Sequence, residues 1–83
     1  MTTFRSWREV RAASLERLRD ASIDHPAQEL RWMIERASGR TSAEQVAALD
    51  EAVTEREAVH LEAMLTRRGA GEPLQYVVGS WGF

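Results

Sequence analysis

Two histidines, a scatter of carboxylates and a few hydroxyls ahead of helical runs are the side chains of this sequence that could act on a substrate. A metal site would need a second histidine or an acid at a spacing that closes a coordination shell, and neither His25 nor His60 has one. Both read as surface residues, His25 in a turn and His60 on a helix flank. Glu51, Glu55, Glu57 and Glu62 would do acid–base work only if two were held in an apolar cleft with their pKa values driven apart. Their spacing instead describes a solvated helix face. Ser6, Thr41 and Thr54 each precede a glutamate by three residues, the pattern of a helix capping box. No Gly-x-Ser-x-Gly elbow or partner histidine would make nucleophiles of them. Gly69-Ala70-Gly71-Glu72-Pro73 lacks both the spacing of a phosphate loop and a helix starting directly after it. By residue chemistry alone this segment is not an enzyme: no catalytic, metal or cofactor-binding residue is expected within it.

The elements expected to carry these residues are helices. Ser6-Trp7-Arg8-Glu9 predicts a first helix starting near residue 7, with Trp7, Val10, Ser14, Leu15, Leu18 and Ala21 on one arc and Arg5, Arg8, Glu9, Glu16, Arg19 and Asp20 opposite. Arg11 falls inside the apolar arc, where its stem can cover the core edge while the guanidinium stays in water. Pro26 ends the break at Ser22-Ile23-Asp24-His25 and opens a second helix over about 26–38, with Leu30, Met33, Ile34 and Ala37 as its core stripe and Gly39 as its stop. Trp32 points away from that stripe. Either this helix is sandwiched on both sides or Trp32 is exposed, and a central helix is the expectation. Thr41-Ser42-Ala43-Glu44 starts a short third helix, for which Val46, Leu49 and Val53 mark a face. Thr54-Glu55-Arg56-Glu57 starts a longer one at about 55, with Val53 stapled against Ala58, a core line of Ala58, Leu61, Met64 and Leu65, an end near Arg68 and a C-cap at Gly69.

Composition bounds what such a bundle can be. Eighty-three residues, 43% hydrophobic and 29% charged, make one small domain of ordinary globular composition. No apolar run approaches the roughly 18 residues that span a bilayer, and no secretory signal opens the sequence, so a cytoplasmic location without a membrane partner is the expectation. The chain has no cysteine, which removes disulfides and thiolate metal sites. A net charge of −2 argues against a dedicated nucleic-acid binder. All eleven basic residues are arginine. Residues 5–20 carry five of them against three acids, whereas 41–66 carry six acids against one arginine. Arg5, Arg8 and Arg19 are the candidate surface for an acidic partner, with a plain solvated helix face as the alternative and more ordinary reading.

After Gly71 the periodicity changes. Gln75, Tyr76, Val77 and Val78 favour extended structure between Pro73 and Gly79. A strand needs a partner, and no earlier segment reads as one, so the expectation is the first strand of a β-hairpin completed beyond Phe83. Residues 1–71 then form the helical bundle and 72–83 an interdomain linker, poorly ordered or packed on a neighbour when the segment stands alone. Tyr76, Trp81 and Phe83 give this end an aromatic density suited to docking.

These last residues also carry a resemblance. Leu65-Thr66-Arg67-Arg68 followed by Gly71-Glu72-Pro73-Leu74-Gln75-Tyr76-Val77-Val78-Gly79-Ser80-Trp81-Gly82-Phe83 resembles the linker of the release-factor glutamine methyltransferases, the HemK or PrmC family. Leu18 to Pro26 resembles that family's first inter-helix turn and Glu29 to Gly39 its second helix. Departures are Ser22 where a glycine is usual, Glu29 and Leu30 where an Asp-Ala pair is common, and Trp32 in place of leucine. The resemblance covers the family's N-terminal helical domain. It implies an all-α bundle of four to five helices ahead of a class I Rossmann-like domain. That domain would bind S-adenosylmethionine and hold the substrate glutamine with an Asn-Pro-Pro-Tyr motif; neither motif occurs in these residues. It further implies a non-catalytic role in recognising the release factor whose Gly-Gly-Gln loop is methylated, with Glu72, Pro73, Leu74, Gln75, Tyr76, Gly79, Trp81 and Phe83 joining or docking to the protein's own catalytic domain. Two other readings stand beside it. One is a stand-alone helical adapter for a different protein; the other is the N-terminal domain of a nucleic-acid amino-methyltransferase.

Overall fold

The computed structural model describes residues 5–79. Five helices follow one another: α1 (Trp7–Asp20), α2 (Pro26–Ser38), α3 (Ser42–Ala47), α4 (Glu55–Gly69) and the single turn α5 (Leu74–Val77). Three of them open as their sequences predict. Ser6 with Glu9, Thr41 with Glu44 and Thr54 with Glu57 form reciprocal capping boxes, in which each hydroxyl accepts from the glutamate's N–H and each carboxylate accepts from the cap residue's N–H. Pro26 sits in the first turn of α2, whose missing N–H costs nothing there.

The ends are set by left-handed residues. Gly39 (φ 75°) closes α2. After α1, Ser22 takes φ 62°, and the bonds Ser22 N–H to Arg19 O (2.9 Å) and Ile23 N–H to Leu18 O (3.1 Å) complete a Schellman motif. After α4 the same motif falls two residues later than expected. Gly69 is still helical, and Gly71 (φ 97°) makes the reversal, with Gly71 N–H to Arg68 O at 3.1 Å and Glu72 N–H to Arg67 O at 3.2 Å.

Helix α2 is the centre of the bundle, packing against α1, α3 and α4, while α1 also meets α4. Its stripe Leu30, Met33 and Ile34 is buried and joins Trp7, Leu18, Val53, Leu61, Met64, Leu65, Val77 and Val78 in one core. Trp32 is half-buried against that core, in keeping with a helix flanked on both sides. The packing follows the expected stripes of α1, α2 and α4 except at two alanines: Ala21 is exposed at the end of α1, and Ala58 is exposed rather than stapled under Val53.

The connection from α3 to α4 differs most from the helical face expected of Val46, Leu49 and Val53. Helix α3 stops at Ala47 and Val46 is 61% exposed. Gln45 is buried in its place, its amide donating to Arg31 O (3.1 Å) and Arg40 O (3.0 Å). Residues 49–53 run antiparallel to the start of α1, with a bridge between Ser6 and Ala52. Trp7 N–H donates to Glu51 O (3.0 Å), Arg8 N–H to Leu49 O (2.8 Å) and Val53 N–H to Arg5 O (2.8 Å). First-turn N–H groups that a helix leaves unpaired are thus satisfied by a distant loop.

The expected strand over 75–78 is also corrected. Leu74–Val77 forms a helical turn against α4, and no strand occurs among the described residues. Val77 and Val78 are buried in the bundle's own core rather than loose or waiting for a neighbour. Pro73 explains the choice: it accepts from both Tyr76 N–H (3.0 Å) and Val77 N–H (3.2 Å), closing the turn that buries the two valines. Trp81, Phe83 and any second strand lie outside the described residues.

Candidate functional site

The corner where α4 hands over to α5 gathers most of the sequence-predicted linker residues, and two arginines build it. The Arg67 guanidinium forks onto the Glu72 carboxylate, with Nη2 to Oε1 at 2.8 Å and Nε to Oε1 and Oε2 at 3.0 and 3.2 Å. Nη2 also donates to the Tyr76 carbonyl at 3.2 Å. Arg68 reaches the other way. Its Nε and Nη2 donate to the two oxygens of Glu29 in α2, at 2.7 and 3.4 Å, and its Nη1 donates to the Glu72 carbonyl at 3.2 Å. The hydrogen bond from Arg67 holds the Glu72 carboxyl below its usual value, and the bond to Glu29 raises Arg68 further.

Burial separates the two prongs. The Arg68–Glu29 side chains are 20% and 14% exposed, the Arg67–Glu72 pair 46% and 43%. The first is a shielded, nearly bidentate pair and contributes accordingly; the second is half-solvated and weaker. Both arginines sit in the last turn of α4, where a cation complements the helix dipole. Their clamp was not foreseen. Glu29 and Arg68 lie 39 residues apart, and no local pattern connects them.

The remaining linker residues divide by exposure. Leu74 packs against the core, whereas Pro73 and Gln75 are exposed and the Tyr76 side chain is 64% exposed. Gly79 (φ 87°) sits where an added Cβ would come within 3.6 Å of Arg36 Nε.

The arginine face of α1 is less uniform. Arg5, Arg8 and Arg19 are all exposed, but Arg8 Nε bonds Asp50 at 3.1 Å and Arg5 reaches the Glu9 carbonyl at 3.4 Å. Arg17, not among the expected contact residues, pairs with Glu62 at 2.7 Å and bridges α1 to α4. Between those helices lies a groove of about 200 Å³ with Val10, Ala13, Leu61 and Leu65 among its lining and Arg5 and Arg17 beside them.

The groove does not fit S-adenosylmethionine: it is smaller than the roughly 300 Å³ at which small-molecule sites begin. Among the described residues no group of three or more His, Asp or Glu side chains could hold a metal, and His25 and His60 are exposed on opposite elements. No described helix is long and apolar enough to cross a membrane.

Comparison with known proteins shows the family to which these elements belong. The family model described as the PrmC N-terminal domain matches residues 9–79, taking in all five helices from the first turn of α1 to Gly79. A curated protein of Caulobacter vibrioides, "Release factor glutamine methyltransferase", is 32% identical over 83 residues, the whole of this chain. The chain spans 27% of that relative's length. No solved structure matches it. With the match running through the central helix and the clamped corner alike, the chain belongs to the PrmC N-terminal domain family.

Proposed function

We propose that this chain is the non-catalytic, substrate-recognising domain of an S-adenosylmethionine-dependent methyltransferase that modifies the glutamine of the Gly-Gly-Gln motif in peptide chain release factors. The observation that carries this reading is the family match over residues 9–79, supported by a relative whose name states the same activity and of which this chain corresponds to about a quarter. Selecting one glutamine on a folded protein takes far more contact area than a small-molecule pocket offers, which gives a helical accessory domain a physical task. In this reading the cofactor and the transfer chemistry belong to a catalytic domain, translation termination in the cytoplasm is the setting, and Glu72 to Phe83 leads from one domain to the other.

Deleting residues 1–71 from the whole enzyme should raise KM for the release factor while S-adenosylmethionine affinity is retained. An unchanged KM would refute the recognition role, and methyl transfer by the isolated 83-residue chain would refute its inertness. Within the recognition role, Arg19 is the most available member of the arginine face, since Arg8 already holds Asp50. Arg19→Glu in the whole enzyme should weaken release-factor binding if that face makes the contact, and binding that is unaltered excludes it.

A further inference from the structure

We propose that Arg67 and Arg68 are positioning residues: together they form a two-pronged clamp that fixes the direction of residues 72–79 relative to the bundle. The geometry points there because the Schellman motif at Gly71 sets the chain's course only as far as Glu72, whose N–H returns to Arg67 O. Residues 72–76 are nonetheless held at three places by side chains rooted in α4. Arg68 grips the Glu72 carbonyl at the start, Arg67 the Glu72 carboxylate, and Arg67 again the Tyr76 carbonyl at the far side of the turn.

Each prong has a different anchor. Through Glu29, Arg68 ties the corner to α2, the helix that every larger element packs against, so the clamp is referenced to the middle of the bundle and not to α4 alone. Val77 and Val78 then sit in the core directly after the gripped carbonyl, and Gly79 passes beneath Arg36. Hydrophobic burial of two valines would secure the segment but not orient it, because apolar contact is non-directional. The forked guanidinium bonds are directional and supply the missing constraint. A lysine at either position would keep the charge and lose the fork.

That this direction matters to a following domain rests on the linker reading above. The geometry itself can be tested in this chain alone, so the two can fail separately. Amide exchange and residual dipolar couplings are measured for the 83-residue chain, Arg67→Met, Glu72→Gln, and Arg56→Met as an exposed control on the same helix. In Arg67→Met and Glu72→Gln, exchange at Tyr76, Val77 and Val78 should quicken about threefold to tenfold, as loss of a half-exposed charged pair implies. The couplings of Val78 and Gly79 should cease to fit the alignment of α1, α2 and α4, and Arg56→Met should behave as the parent. Unchanged couplings in Arg67→Met would overturn the proposal. So would faster exchange spread evenly over all helices, since a bridge that merely stabilises the bundle would do that. An unchanged KM in the deletion experiment would refute the recognition role and leave these readings untouched.

Discussion

Ser22 is the residue whose backbone is most at odds with its side chain. It occupies the left-handed position of the Schellman motif closing α1, at φ 62°, where a Cβ costs about 1–2 kcal/mol and glycine costs none of it. Glycine gives some of this back through the entropy of the unfolded chain, roughly 0.5–1 kcal/mol. Ser22→Gly should therefore stabilise the bundle by about 0.5–1 kcal/mol, read as a rise in the urea midpoint at constant slope. A fall in the midpoint would show that the hydroxyl holds something the backbone argument omits. At the α4–α5 corner, Arg68→Met strips the counter-charge from a Glu29 that is only 14% exposed. The expected loss is about 1.5–3 kcal/mol, more than for Arg67→Met, whose partner remains largely in water.

Helix starts are the scale at which pH should act. The Glu9 and Glu44 carboxylates accept hydrogen bonds from the N–H and hydroxyl of Ser6 and of Thr41, which lowers both below the ordinary value of 4.5. Their charged forms are favoured by folding. This contribution is complete above about pH 4.5 and is lost as pH falls through the lower folded values. Urea midpoints taken down that range should decline, and Glu9→Gln with Glu44→Gln should flatten the decline. An identical slope in the double variant would assign the acid sensitivity elsewhere. Thr54→Ala, which removes the cap of the longest helix, should cost about 1 kcal/mol at neutral pH. Because α4 carries the clamp, the same change should also loosen Tyr76 to Val78 in exchange measurements.

For the molecule as a whole, stability hangs on one small core centred on α2. Met33 is 0% exposed and lies where α1 and α4 converge on that helix. Met33→Ala should cost about 2–5 kcal/mol, a large part of the roughly 5–15 kcal/mol available to any domain and more serious at this size. Thermal denaturation should show a much lower midpoint or no cooperative transition. Val59→Ala, at a position 64% exposed, should shift the midpoint little. Equal effects from the two would mean that α2 is not the centre of the packing.

Local chemistry was enough to place the helix starts, because each capping box is written within four consecutive residues and satisfies its own donors. The stripes of α1, α2 and α4 were legible for a similar reason: their apolar residues recur with the helical period. The family was legible in the linker motif. Three features were not. The buried Gln45 displaces Val46 because two carbonyls, of Arg31 and Arg40, need its amide. Residues 49–53 pair with the start of α1 across more than forty positions. At 74–78, β-branched and aromatic residues predict a strand, but strand propensity expresses a need for a pleated neighbour, and none is present among the described residues. A helical turn buries Val77 and Val78 instead. The sequence by itself thus determined where helices begin, which faces they bury and to which family the chain is related. Only the tertiary structure decided how the chain leaves the bundle, since that depends on Arg68 meeting a glutamate 39 residues away.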